Sequence, residues 1–396
     1  MVGQCLPATP AARLRLRRLS PRAAAAAMFF AFGVGIGAWS GASATIVARI
    51  GVNPAVYGAA LTVFTAAYLA AMSAGGAIAR RFTTKRVLVV AAIGSAPALA
   101  ALLLAGDVVS YFVLQTAFGF LFGLVDLTMN AAGARIERGL GRPVLAGMHG
   151  TASAGVAISA AAAGAIAASA APWLASLAVV AALWGAAAAV ARAVPADGGE
   201  KFGAVAVDRR AFASPAAASL GLVVGACIAC ESAAITWSGL VLQREAPGLA
   251  AYVGFGASFF AGCQALQRFN VDRLRARVAD RWLIVASLAV AALGFVIVAA
   301  EPGFTLSLVG FAVIGFGTGA VVPCGFALAA SQPGVTAAAG LSAVAFFGAF
   351  ARLPAPLIAG AVADALSLSA AFALFALLLV AAIAATLRFV GPRSVA

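Results

Sequence analysis

The chain has 396 residues, of which 64% are hydrophobic and 10% charged, and its formal net charge is +14. A soluble domain carries about 25% charged residues. With a mean hydropathy of +1.06, these proportions cannot cover a water-facing surface, which excludes a soluble enzyme and a nucleic-acid-binding domain.

A spanning helix needs about 20 apolar residues. Twelve such helices with short connections use about 33 residues each, which accounts for the whole length. Open sheets cannot cross lipid, and the alternation of barrel strands is absent. The expected fold class is an all-α membrane protein.

The N-terminal tail, residues 1–22, holds Arg13, Arg15, Arg17, Arg18 and Arg22. Ala42-Ser43-Ala44 resembles a cleavage site, but the apolar run before it is too long for a signal peptide, so it is read as a retained first span. The first six spans are expected at 23–48, 55–79, 87–106, 108–132, 144–169 and 172–194. The stretch 195–215 is the one long polar segment and reads as a linker between two halves. The second six spans are expected at 216–241, 250–269, 282–300, 304–330, 336–362 and 368–389, followed by a short tail, 390–396.

The basic residues orient this map. With the N-terminus inside, 23 of the 26 Arg and Lys residues fall on the inner side, which makes both termini and the linker cytoplasmic. Arg49 and Arg244 fall at outer connections, and Arg352 falls within a span. Of the five cysteines, Cys227, Cys230, Cys263 and Cys324 lie in apolar runs and imply no disulfide framework. Cys227-x-x-Cys230 reads as packing rather than a metal pair.

Trp39-Ser40-Gly41 in the first span recurs as Trp237-Ser238-Gly239 in the seventh. Two six-helix halves built from inverted repeats around a midplane site are the architecture of a repeat-based transporter. Gly33-x-x-x-Gly37-x-x-x-Gly41 and Gly315-x-x-x-Gly319 allow close helix approach. Pro323, Pro354 and Pro356 are candidate kinks in the tenth and eleventh spans.

Most acids lie at loops or span ends, and only Asp126 and Glu231 lie within the spans. With His149 and Arg352 they form an intramembrane polar set, expected to face the bundle interior. Asp126 lies six residues before the end of the 108–132 span, about 9 Å deep at 1.5 Å per residue, and His149 about 8 Å deep in the fifth span, so they could meet. Glu231 and Arg352 have matching depths and could form an ion pair. For each of these residues a structural role stays open. Trp39, Tyr68, Gln115, Asn130, Trp237, Gln264 and Arg352 are candidate pathway residues, with packing as the competing role.

The block Asp126-Leu-Thr-Met-Asn130, then Gly141-Arg142-Pro143, His149 and Ser153-Ala-Gly155 resembles spans four and five of the fucose:proton symporter-like branch of the major facilitator superfamily. Glu231 with Trp237-Ser238-Gly239-Leu240 resembles that branch's seventh span. Arg268-Phe-Asn-Val-Asp272-Arg273 resembles its loop between spans eight and nine. The resemblance covers almost the whole chain and is to uncharacterised inner-membrane members, not to the sugar-transporting ones. The superfamily's Gly-x-x-x-Asp-Arg-x-Gly-Arg-Arg loop departs here: its acid is replaced by Arg80 and its second glycine by Thr83, while the second copy keeps Asp272-Arg273.

The resemblance implies a secondary transporter moving a small polar solute by alternating access with proton-coupled symport. Asp126, Glu231 and His149 would couple the proton. Arg80, Arg81, Arg268, Asp272 and Arg273 would form an inner gate. An exporter and a non-transporting membrane sensor stay open as alternatives. The expected partners are a solute, a proton and the bilayer of a bacterial inner membrane, with the chain a monomer. No nucleic acid, cofactor or metal is expected, and a membrane-embedded hydrolase finds no Ser-His pair or ligand cluster to support it.

Overall fold

A computed structural model describes residues 19–142, 144–195 and 209–390, with the side chain of Arg209 left aside. Arg13, Arg15, Arg17, Arg18, Cys5, Pro143, Lys201, Arg393 and most of the 195–215 linker lie outside the described residues. Among the described residues, twelve segments are long and apolar enough to cross a bilayer, and there is no strand.

The N-terminal half is α1 (Pro21–Ile50), α2 (Pro54–Phe82), α3 (Thr84–Leu103), α4 (Val108–Leu140), α5 (Leu145–Ala167) and α6 (Trp173–Ala193). A short helix α7 (Arg209–Phe212) precedes the C-terminal half. That half contains α8 (Pro215–Glu245), α9 (Phe255–Arg275) and α10 (Asp280–Ala299). The tenth span is split into α11 (Phe304–Thr318) and α12 (Val321–Ala330), and the eleventh into α13 (Ala337–Arg352) and α14 (Ala355–Ala365). The last span is α15 (Leu368–Phe389).

Local chemistry sets several starts. Ser20, Asn53 and Ser214 each precede a proline, and each side chain accepts from the backbone N–H three residues on. This pairs an oxygen cap with a residue that lacks the otherwise orphaned N–H. Asp107 caps α4 in the same way, and the Ser110 N–H holds its carboxyl below the ordinary carboxylate range.

Helices α4 and α9 outrun their expected ends. α4 continues to Leu140 and stops at Gly141, whose φ of 63° is the left-handed cap conformation. Its 33 residues span about 50 Å, well beyond a bilayer core. Asp126 therefore lies near the middle of its helix and not close to the inner surface. α9 likewise runs to Arg275, so Arg268 sits two turns inside a helix and not in a loop. Both expected ends fell where arginines lower the local hydropathy, although the helix does not stop there.

Within the N-terminal half, α1 packs on α5 and α2 on α4. Gly33, Gly37 and Gly41 lie against the backbone of Ala152, Val156 and Ala160, so close that a Cβ on any of the three would overlap it. Small residues set this backbone-to-backbone approach where the hydrophobic effect does not act between helices. The outward surface carries Val90, Leu177, Leu293 and Leu377, as lipid contact requires.

The halves meet along α5 and α9, from Gly150 against Phe269, through Ser258 Oγ donating to Ala157 O (2.6 Å), to Gly164 against Gly254. At the end away from the linker, α2 also meets α14, and α1 meets α8. There Gly58 faces Gly360, the Tyr57 hydroxyl donates to Thr236 O (2.7 Å), and Asn53 Nδ2 donates to Asp364 Oδ2 (3.4 Å). At the linker end, α4, α12 and α13 take their packing from their own halves. The molecule is thus closed at the far end and parted at the linker end.

The tenth span breaks at Gly319-Ala320, ahead of Pro323, which enters the first turn of α12. The eleventh breaks at Leu353-Pro354, with Pro356 at the start of α14. Arg49, at the end of α1 away from the linker, donates to Leu103 O and Ala105 O, both at 2.9 Å, capping α3. Arg244 pairs with Glu301 at 3.4 Å.

Candidate functional site: a charged cavity between the halves

A cavity of about 200 Å³ lies between the two halves. Trp39, Phe64, Trp237 and Phe375 contribute apolar walls, and Asp126, His149, Glu231, Arg268 and Arg352 also line it. All four members of the expected intramembrane set are therefore brought together, with Arg268 as a fifth ionisable residue.

The pairings differ from those expected. Asp126 Oδ2 accepts from the Tyr68 hydroxyl at 2.5 Å, and Asp126 Oδ1 accepts from Asn130 Nδ2 at 2.9 Å. Asn130 is four residues on, directly over Asp126 on the same face. His149 instead sits edge-on to Phe29, ring centroids 5.0 Å apart. The expected Asp126–His149 pairing is therefore not made, because α4 is longer than expected and two nearer donors hold the acid.

The Glu231–Arg352 pairing is also not formed. Glu231 Oε2 pairs with Arg268 Nη2 at 3.4 Å, with side chains 12% and 17% exposed. Arg352 ends α13 at the break in the eleventh span, and its guanidinium lies 4.7 Å above the Tyr68 ring. The break aims Arg352 at the N-terminal half, and the long α9 brings Arg268 to the acid.

Arg268 also ties the halves together. Its Nη1 donates to Ser153 Oγ (2.9 Å), Ser153 Oγ donates to Gln264 Oε1 (3.0 Å), and Gln264 Nε2 donates to Thr318 Oγ1 (3.2 Å). Thr318 is the last residue of α11, at the break in the tenth span. The chain of donors joins α5, α9 and α11 at cavity depth.

Removing one partner of a buried ion pair leaves the other charge uncompensated. Glu231→Gln and Arg268→Gln should each lower stability by about 3 kcal/mol, and the double change should recover at least half of that. Melting of the purified variants reads this out, and strictly additive losses would refute the pairing.

The remaining expected site residues divide. Trp39, Tyr68, Trp237 and Gln264 line the cavity, and Asn130 acts on it through Asp126. Gln115 is fully buried in α4, and its side chain is not part of the cavity wall. The five inner-gate residues are not gathered: Arg268 is in the cavity, Arg80 and Arg81 are exposed at the end of α2, and Arg273 Nη1 donates to Asn270. Among the described residues, Asp272 has no ion-pair partner.

Sequence reasoning missed Tyr57, which packs at 4.8 Å on Trp237 and closes the far end. It also missed Ser153 as a partner of Arg268. Gln264 and Arg268, four residues apart on one helix face, were the available signal for the latter. Cys227 and Cys230 are buried free thiols donating to the carbonyls of Thr318 and Phe375, which is a packing role.

No family model matches the chain. It is 26% identical over 354 residues to an uncharacterised MFS-type transporter of Yersinia pestis, covering 89% of this chain and 91% of that protein. It is 25% identical to an uncharacterised transporter of Sinorhizobium fredii, covering 78% and 81%. Among solved structures, a point mutant of the nucleoside transporter NupG superposes with a TM-score of 0.77 at 12% identity, covering 94% of this chain and all of that one. The E. coli fucose:proton symporter FucP superposes with a TM-score of 0.60 at 16% identity, covering 94% and 99%. These proteins are transporters and not enzymes. Twelve apolar spans among the described residues, in two halves around a central charged cavity, make the chain a multi-pass membrane protein, and over most of its length its sequence and fold are similar to those of MFS-type transporters.

Proposed function

We propose that the chain carries a small polar solute across the membrane together with a proton, by alternating access, with Asp126 as the proton carrier. The observation that supports this most is the cluster of Asp126, Tyr68 and Arg352. An acid of the N-terminal half and a base of the C-terminal half share one tyrosine at the cavity, 2.5 Å from its hydroxyl and 4.7 Å from its ring centre. Proton uptake by Asp126 changes the attraction between the halves at the point where they must rock. Glu231 is the second acid, already compensated by Arg268, and His149 is a cavity-lining base without a carboxylate partner among the described residues.

Uptake into proteoliposomes tests the reading. An inside-alkaline gradient should raise the initial rate at least tenfold over equal pH for the carried solute. A sensor gives no flux, and an exporter or antiporter responds to the opposite gradient.

The orientation is part of the proposal: both termini and the linker are placed in the cytoplasm of a bacterial inner membrane, on the distribution of basic residues. The cavity then opens inward. In a background without the other native cysteines, labelling from outside sealed cells should miss the native Cys5 and an engineered cysteine at 205 and reach one at 366, where Leu366 is exposed. Labelling at 5 or 205 would overturn the orientation.

A further inference from the structure

We propose that the solute is an organic monoanion with an apolar body, its carboxylate held by the Arg352 guanidinium and admitted when Asp126 is protonated; the last clause rests on the proton-coupled reading above.

The charge inventory of the cavity carries this. Glu231 on α8 is compensated by Arg268 on α9 at 3.4 Å. Asp126 on α4 faces Tyr68 of α2, its own Asn130, and Arg352 of α13, with His149 of α5 also on the cavity wall. Arg352 stacks its face on the Tyr68 ring, and among the described residues no carboxylate lies within ion-pair distance of it. The Tyr68 hydroxyl is also within its reach, and of its five N–H donors those left over have no carboxylate partner and can form the paired hydrogen bonds that an arginine makes with one.

With Asp126 ionised and the His149 imidazole neutral, the cavity's two acids and two arginines cancel. With Asp126 protonated, one positive charge is left over, and it belongs to Arg352. A single carboxylate restores neutrality. A dicarboxylate leaves a negative charge and a cation adds a positive one, each costly away from water. One proton and one monoanion then move with no net charge.

The walls set the rest of the molecule. Trp39, Phe64, Trp237 and Phe375 offer aromatic faces. Most polar side chains of the wall are already engaged: Ser153 with Gln264 and Arg268, Tyr68 with Asp126, and Thr65 and Thr236 with backbone carbonyls of their own helices, which leaves Ser232 and His149 outside these bonds. A polyol would have to break these bonds, whereas an apolar body would not.

The test is calorimetry on the purified full chain at pH 5.5 and pH 8, using benzoate, phenylacetate and indole-3-acetate, the amide of each, and benzylammonium. At least one acid should bind ten times more tightly than its amide, and more tightly at pH 5.5. Arg352→Gln should reduce that preference below threefold, with Arg352→Lys intermediate. Asp126→Asn should keep the preference and lose its pH dependence. Equal binding of acid and amide, preference for benzylammonium, no binding by any acid, or an unchanged preference in Arg352→Gln would overturn the anion site. The wild-type acid and amide comparison decides this even where a variant fails to fold. Arg352-dependent binding without pH dependence upholds the anion site and overturns the admission by Asp126. Proton-driven uptake of a neutral solute alone overturns the anion site and leaves the proton-coupled reading standing.

Discussion

Asp126→Asn should abolish uphill accumulation of solute driven by a pH gradient, by at least tenfold, while solute exchange between equal pools persists within about threefold. An amide fills the carboxyl's place and can still meet Tyr68 and Asn130. It cannot take up and release a proton, so the loaded and unloaded carriers become equivalent. Energy from the gradient is then uncoupled while the rocking motion survives. Counterflow and gradient-driven uptake, measured on the same vesicles, separate the two properties. Equal loss of both would mark Asp126 as structural, and unchanged accumulation would move the coupling to Glu231.

Gly58→Leu should reduce transport at least tenfold by opposing closure of the far end. A Cβ at position 58 would lie 2.8 Å from the Gly360 Cα, and even closer to the Pro356 carbonyl. Atoms that cannot yield at such distances must move the helices apart. The clash falls at the α2–α14 contact between the halves and not inside either half, so the variant should fold and favour the state open at that end. The neighbouring closure, Tyr57 against Trp237 with its hydroxyl on Thr236 O, would open with it. In a background without native cysteines, Thr236→Cys should label from the far side several times faster with Gly58→Leu than without it. Unchanged labelling together with full transport would show that this glycine pair does not gate the cavity.

The fold was legible because lipid asks only for length and hydrophobicity, and because arginine placement counts crossings. The one-turn spacing of Asp126 and Asn130 was visible in the sequence, but the bond between them emerges only in the structure. The wrong pairings have two causes. Hydropathy places a span's end where charge begins, at 132 for α4 and 269 for α9, whereas these helices continue to Leu140 and Arg275. The error moved Asp126 toward one surface and put Arg268 in a loop. Matching depth also cannot say which helices touch: Glu231 and Arg352 match in depth, yet the break at Leu353-Pro354 points the arginine across the cavity. The break at Gly319-Ala320 precedes its proline, so the proline marked the region and not the residue. Closure by Tyr57 depends on contact between halves, which no local pattern encodes.

Solute and proton should cross together, with the proton carried on Asp126. The most direct measurement loads proteoliposomes with a pH-reporting dye at equal pH on both sides and adds solute outside, so that only the solute gradient drives movement. The lumen should acidify as solute enters, with one proton per solute, and Asp126→Asn vesicles should take up solute without acidifying. Solute entry in the wild type with no change in lumenal pH would contradict the account.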